Sequence, residues 1–420
     1  MVSFKIFPAL VLVLQLSSIH AQETINNVSH KPIPASYVGL NDAGSAWKRP
    51  WPTIEVSTIR LFDSAWTYLE PNKGLWTFEH LDQDVGEAEK RHQDLDLVLS
   101  FTPPWASARP TETGNGRTNG ARAEPTDPKD WENYIRTVAK RYKGRVHTYE
   151  LWNEPNLKST YTGDIPQLVT LCRIAYQTLK QVDPMITVVS PSLAHNNASA
   201  AYLQSFLEQG GVKTFDVLGY HFYDNLSSPI IHPENIVGTT AALRRILTAA
   251  GASEKPIWNT ESGYYIASAP EAKFHYSHYP AGVRVIGQFD AVQAIGRAYV
   301  LGWAGGLERF YWYAWGEPAY ALVDDGGDTA KKATQAYALV RKWLVGSRYL
   351  DVHRSDTGLW VVRLEDPQRK IKLIVWTEAH PQDYVAPPEL HLTQSQDLVS
   401  QTHPLDTGKV IAGPIPQLLF

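Results

Sequence analysis

The sequence is poor in sulfur: it has one cysteine, Cys172, and two methionines in 420 residues. A single thiol excludes an intrachain disulfide, so a hydrophobic core must hold the fold. Cys172 falls in the apolar spacing Leu168, Leu171, Cys172, Ala175 and reads as a buried, inert thiol. A basic footprint is also missing. With 39 Lys+Arg against 43 Asp+Glu the formal net charge is −4, which gives no surface for nucleic acid. Beyond the N-terminus no apolar run is long enough to span a membrane as a helix. There is no H-E-x-x-H, and His275, His278 and the other histidines lack metal-ligand spacing, so neither metal nor cofactor is expected. No G-x-S-x-G elbow offers a serine nucleophile. No G-x-G-x-x-G follows an early strand, which argues against dinucleotide binding.

What is plentiful is aromatic. There are 14 Trp and 21 Tyr. Many must be core, but such an excess also suits stacking on sugar rings. Hydrophobic content of 43% and charged content of 20% describe an ordinary soluble protein. The length suits one barrel of ~250 residues with insertions and a small appendage. The N-terminus has Lys5, an apolar run over 6–16 and small residues up to Ala21. It reads as a secretory signal peptide cleaved after Ala21, although Ile19 is large for its place, and implies a secreted or periplasmic protein off the membrane. Sequons stand at Asn27, Asn197 and Asn225.

Residues 22–36 are polar and Pro-containing, and could add a strand to a C-terminal sheet. Strand-like and helix-like segments then alternate. Strands are expected at 37–41, 56–62, 95–101, 146–151, 187–190, 215–223, 255–259 and 309–315. Helices are expected near 86–93 and over 130–142, 165–182, 200–209, 233–250, 283–301 and 331–345. Eight strands alternating with helices predict a parallel sheet closed into a (β/α)8 barrel over 37–346. After Gly346 the period shortens, and 347–420 reads as a small antiparallel β-domain with strands at 359–364 and 371–377. Two connections are long for a barrel, 106–128 and 262–280, and the second carries five aromatics.

The chain is organised around 146–156, VHTYELWNEPN. A hydrophobic strand stops at Asn153-Glu154-Pro155-Asn156, because Pro155 has no N–H for a sheet. Glu154 therefore sits at the carboxyl end of a barrel strand, where chemistry is carried. Glu261, in IWNTESGYY, ends the seventh strand in the same way, and only closure can bring the two together. Two carboxylates flanking one bond are what glycoside cleavage requires. Arg60 in the second strand would be a buried cation, and Glu261 is its natural partner. His221 and Tyr223 alternate on the sixth strand and face one way. Asn153 could hold a sugar 2-hydroxyl. Trp315 could form the platform beneath the scissile sugar, with Trp105 a second candidate for that wall.

WNEPN on strand four, TE on strand seven, Arg on strand two, H-x-Y on strand six and Trp on strand eight resemble the pattern of clan A retaining glycoside hydrolases. With the C-terminal β-domain, the chain is most similar to glycoside hydrolase family 39. The resemblance implies Glu154 as acid/base, Glu261 as nucleophile, Arg60 and Tyr223 positioning Glu261, and Asn153 on the 2-hydroxyl. It implies a poly- or oligosaccharide as partner. The expectation is a secreted retaining hydrolase whose carboxyl groups lie about 5–5.5 Å apart. Glu154 is expected to be protonated, its pKa raised by burial and nearby negative charge. Two other readings stay open: a non-catalytic carbohydrate-binding barrel, and a xylosidase-like exo-acting enzyme rather than an endo-acting one. Sugar identity and oligomeric state have no signature in the sequence.

Overall fold

The computed structural model describes residues 22–25, 28–41, 50–378, 380–399 and 401–420. The expected signal peptide and Asn27 lie outside the described residues. Eight strands form one sheet: β1 (Val38–Asn41), β2 (Thr58–Leu61), β3 (Asp94–Leu99), β4 (Thr148–Leu151), β5 (Thr187–Val189), β6 (Leu218–His221), β7 (Ile257–Ser262) and β8 (Leu307–Tyr313). All neighbours pair in parallel, in the order β5-β4-β3-β2-β1-β8-β7-β6. Parallel bridges Val189–Val217 and Leu193–Tyr220 join the two edges and close the barrel. Buried on both faces, these strands can be nearly continuous apolar runs, and β1, β2 and β4 are buried at every position.

Among the described residues, seven helices of more than one turn follow β2 to β8, besides the single turn Trp66–Leu69: α1 (Glu79–Lys90), α2 (Pro128–Arg141), α3 (Ile165–Val182), α4 (Ser199–Glu208), α5 (Asn235–Ala249), α6 (Gln288–Ala304) and α7 (Lys332–Leu344). Local chemistry starts two of them. Asp127 caps α2 by accepting from Lys129 N, with Pro128 in the first turn. Asp164 and Gln167 form a reciprocal capping box on α3. The first helix begins well before the 86–93 region read from sequence. The sixth begins later than residue 283, because Val285–Ile286 pairs in parallel with Tyr265–Ile266 and Gly287 takes the N-cap. That short ladder ties the β7–α6 loop to the start of its own helix.

After the barrel, strands Arg348–Ser355, Leu359–Glu365, Ile371–Thr377, Gln417–Leu419, Gln394–Asp397 and Thr402–Pro404 make an antiparallel sheet. Its other edge is Gln22–Thr24, paired with His353–Ser355. One face packs on a ribbon of Gln382–Val385 and Lys409–Ala412, around Leu373, Val375 and Leu419. The other face, with Val352, Val362, Ile374 and Trp376, joins the barrel's own core. Polar ties cross the same junction. Buried Arg297 of α6 donates to Pro414 O at 2.9 Å and Thr377 O at 3.1 Å, and Tyr349 OH to Val300 O at 3.0 Å.

Candidate active site

Glu154 and Glu261 both reach the barrel mouth. A Glu154 oxygen, a Glu261 oxygen and a His221 ring nitrogen lie within 4.8 Å of one another. The two carboxylates come from opposite sides of the barrel, and each is placed by a local distortion. After β4 the chain departs from extended geometry, with Trp152 at φ 66° and Glu154 at φ 49°, a region side chains avoid. Three contacts hold it there: Glu154 N donates to Ser192 O, Trp152 Nε1 to Thr160 O, and Asn156 Nδ2 to Ala194 O.

On β7 the device is a bulge. Trp258 clusters with Val189, Val217 and Tyr311 inside the barrel. Strict alternation from Trp258 would point Glu261 outward. The register on both neighbouring strands slips by one residue here, His221 facing Glu261 after Tyr220 faces Asn259. The extra residue re-aims Glu261 into the mouth.

The partners of the two acids differ in kind. Arg60 Nη1 donates to Glu261 Oε2 at 2.8 Å and Tyr223 OH to Oε1 at 2.8 Å. Both donors suit an ionised carboxylate. Burial, then the Glu261 charge, push the Tyr223 phenol far above its ordinary range, so it keeps its proton and donates. Glu154 Oε1 meets His221 Nδ1 at 2.9 Å. Burial, the largest influence on Glu154, acts to raise its pKa. The hydrogen bond from His221 and the charges of His221, Arg60 and Arg117 overcome it, and the net shift is downward. This corrects the expectation of a raised Glu154. The sequence reading counted burial and the second carboxylate, and placed no imidazole on Glu154.

Arg60 is wholly buried and does more than hold Glu261. Its Nε and Nη2 bind the two oxygens of Glu150 at 2.9 and 2.7 Å. Nη1 also donates to Asn41 Oδ1 at 3.1 Å, and Nη2 to Asn153 Oδ1 at 2.9 Å. Burial opposes its charge, and Glu150, Glu261 and Asp96 more than offset it. Glu150 and Asn41 were missed in the sequence. The signal was available: Glu150 is four residues before Glu154, in mid-strand, where only a paired carboxylate survives burial.

The remaining candidates scatter. Asn153 is beside Arg60, which fixes its amide. Trp315 is 1% exposed, and its indole N–H donates to Pro50 O at 3.0 Å. Trp105 belongs to another cluster: it crosses Trp66 edge-on, lies under Lys73, and donates to Glu70 O.

The sequence model of Glycosyl hydrolases family 39 matches residues 71–299, which includes both acids. "Endo-1,4-beta-xylanase B" of Humicola insolens is 28% identical over 138 residues, 33% of this chain and 35% of that relative's length. A family 39 glycoside hydrolase from the gut symbiont Bacteroides cellulosilyticus WH2 superposes with TM-score 0.67 at 21% identity, over 87% of this chain and 75% of the other. A GH39 β-xylosidase from Caulobacter crescentus does so with TM-score 0.64 at 14% identity, over 94% and 98%. At these identities the superpositions establish the shared fold, and the sequence match carries the kinship. The chain belongs to glycosyl hydrolases family 39, a family of retaining enzymes in clan A.

Proposed function

We propose that the protein is a secreted hydrolase that cleaves O-glycosidic bonds of a poly- or oligosaccharide by double displacement, with Glu261 as nucleophile and Glu154 as acid/base. The carrying observation is the pair of carboxylates whose oxygens approach within 4.8 Å, each with different partners. A direct attack geometry needs carboxyl groups about 5–5.5 Å apart, whereas inversion needs room for a water and about 6.5–9.5 Å. Glu261 accepts only from donors, so it is kept ready to attack the anomeric carbon. Glu154 Oε1 lies 2.9 Å from His221 Nδ1, so His221 orients the carboxyl group that gives its proton to the leaving oxygen. Once Glu261 is esterified its charge is gone, and Glu154 can accept the proton of the incoming water. The Asn153 amide, held by Arg60, is the group we assign to the sugar 2-hydroxyl. The relatives are named as a xylanase and a β-xylosidase, so β-xylosides are the first substrates to try.

Azide separates the two roles. Glu154→Ala should keep a fast first step on substrates with good leaving groups, accumulate glycosyl-enzyme, and give with azide a product of retained configuration. Glu261→Ala should be nearly dead on all glycosides and give the inverted azide. An inverted product from Glu154→Ala reverses the assignment, and inversion by the wild type overturns the mechanism. A non-catalytic barrel predicts no hydrolysis of any aryl glycoside.

A further inference from the structure

The Glu261 side of the mouth continues into a wall of tyrosine rings. Tyr223, which donates to Glu261, has its ring 6.3 Å from Tyr320. Tyr320 lies 4.2 Å from Tyr265, Tyr265 6.2 Å from Tyr279, and Tyr279 4.9 Å from Tyr276. Each of these rings is partly exposed. The wall ends at a cavity of ≈ 520 Å³ between the β7–α6 and β8–α7 loops, lined by Phe274, Tyr276, Trp315, Pro318 and Val323. That volume is in the range of ligand pockets.

Phe274 is 78% exposed, and a lone exposed aromatic carries no message by itself. This one stands on a fixed backbone. Asp325 accepts from Lys273 N at 2.9 Å and Phe274 N at 3.1 Å, Asp324 from Ala269 N at 2.7 Å, and Ser268 Oγ from Tyr276 N at 3.0 Å. The β8–α7 loop thus pins the β7–α6 loop and presents Phe274 and Tyr276 at the rim.

Direction follows from the roles of the two acids, and so rests on the proposed function. The sugar that bonds to Glu261 lies on the Tyr223 side, and the leaving group lies on the Glu154 side. A cavity reached along the Tyr223 wall takes units on the non-reducing side of the cut. We propose that this cavity is a distal glycone subsite, in which Phe274 and Tyr276 stack a neutral sugar ring of a chain longer than one unit. Asp324, Asp325 and Asp328 line it together with Lys273, His275 and His278, and Asp324 and Asp328 are paired with Lys331 and Lys273.

The test compares kcat/KM on 4-nitrophenyl β-xyloside with that on the β-1,4-linked xylobioside and xylotrioside. Wild type should prefer the longest substrate. In Phe274→Ala and Tyr276→Ala, the ratio of trioside to xyloside should fall about tenfold, a factor in keeping with loss of one aromatic contact. Isothermal titration of xylotriose into Glu261→Ala, with and without Phe274→Ala, should show the same loss in affinity. A ratio unchanged by both substitutions overturns the subsite, as does an equal loss on all three substrates. Absence of hydrolysis on every aryl glycoside is the separate failure of the glycosidase reading, and the subsite falls with it.

Discussion

Glu150→Gln tests how the site is held together. Arg60 and Glu150 are both wholly buried, with Nη2–Oε1 at 2.7 Å and Nε–Oε2 at 2.9 Å. The amide keeps the volume but loses the charge and turns an N–H group toward one guanidinium donor. Removing one member of a buried pair costs about 3–5 kcal/mol, because the other is left poorly compensated. Glu261, Asn41 and Asn153 still contact Arg60, so the lower end, about 3 kcal/mol, is expected. At about 2 °C or less per kcal/mol for a chain of this size, melting should fall by about 5 °C. Activity should fall too, since Arg60 is then free to tilt away from Glu261. The double variant Arg60→Met/Glu150→Leu separates the effects: with no buried charge, it should recover stability but stay inactive. Thermal unfolding by circular dichroism, beside aryl-glycoside rates, makes both measurements. A Glu150→Gln protein that melts at the wild-type temperature would refute the idea that Glu150 neutralises Arg60.

Three further outcomes are expected. His221→Asn removes the hydrogen bond and charge that do most to lower Glu154, leaving burial opposed by the charges of Arg60 and Arg117; the Glu154 pKa should rise and the basic limb of kcat/KM should move to higher pH, and a move to lower pH would contradict the pairing. Asp96 is raised to about 8, first by burial and then by the Glu150 charge. Its native pKa exceeds its unfolded one, so its contribution is full below the ordinary carboxylate range and is lost as pH rises towards 8. Asp96→Asn should therefore flatten the decline in urea-unfolding stability between pH 5 and 8, and an unchanged decline would count against a buried neutral acid there. Limited proteolysis near Gly346–Ser347 should yield no independently stable barrel, because the C-terminal sheet shares its core and Arg297 crosses the junction; two stable pieces would show that docking is loose.

The residues alone announced much of this protein. Parallel barrel strands are buried on both faces, so β1 to β8 were legible as short apolar runs between helical stretches. WNEPN was legible because Pro155 ends a strand beside a carboxylate. The pairing of Arg60 with Glu261 followed from a cation in mid-strand that needs an anion. Other features had no local signature. Asn41 and Glu150 meet Arg60 only when β1 pairs beside β2 and the curl of the barrel turns β4, on the far side of β3, toward the same interior. The downward shift of Glu154 depends on His221, a residue from β6 whose distance from β4 no spacing reveals. The aim of Glu261 depends on a bulge set by pairing with β6 and β8, which defeats the two-residue alternation of β7. Segment boundaries moved where long-range pairing outweighed local preference, as at Val285–Ile286, drawn out of the helix by Tyr265–Ile266. Alternation and propensity act between neighbours in the chain, and closure of the barrel decided which distant groups share one mouth.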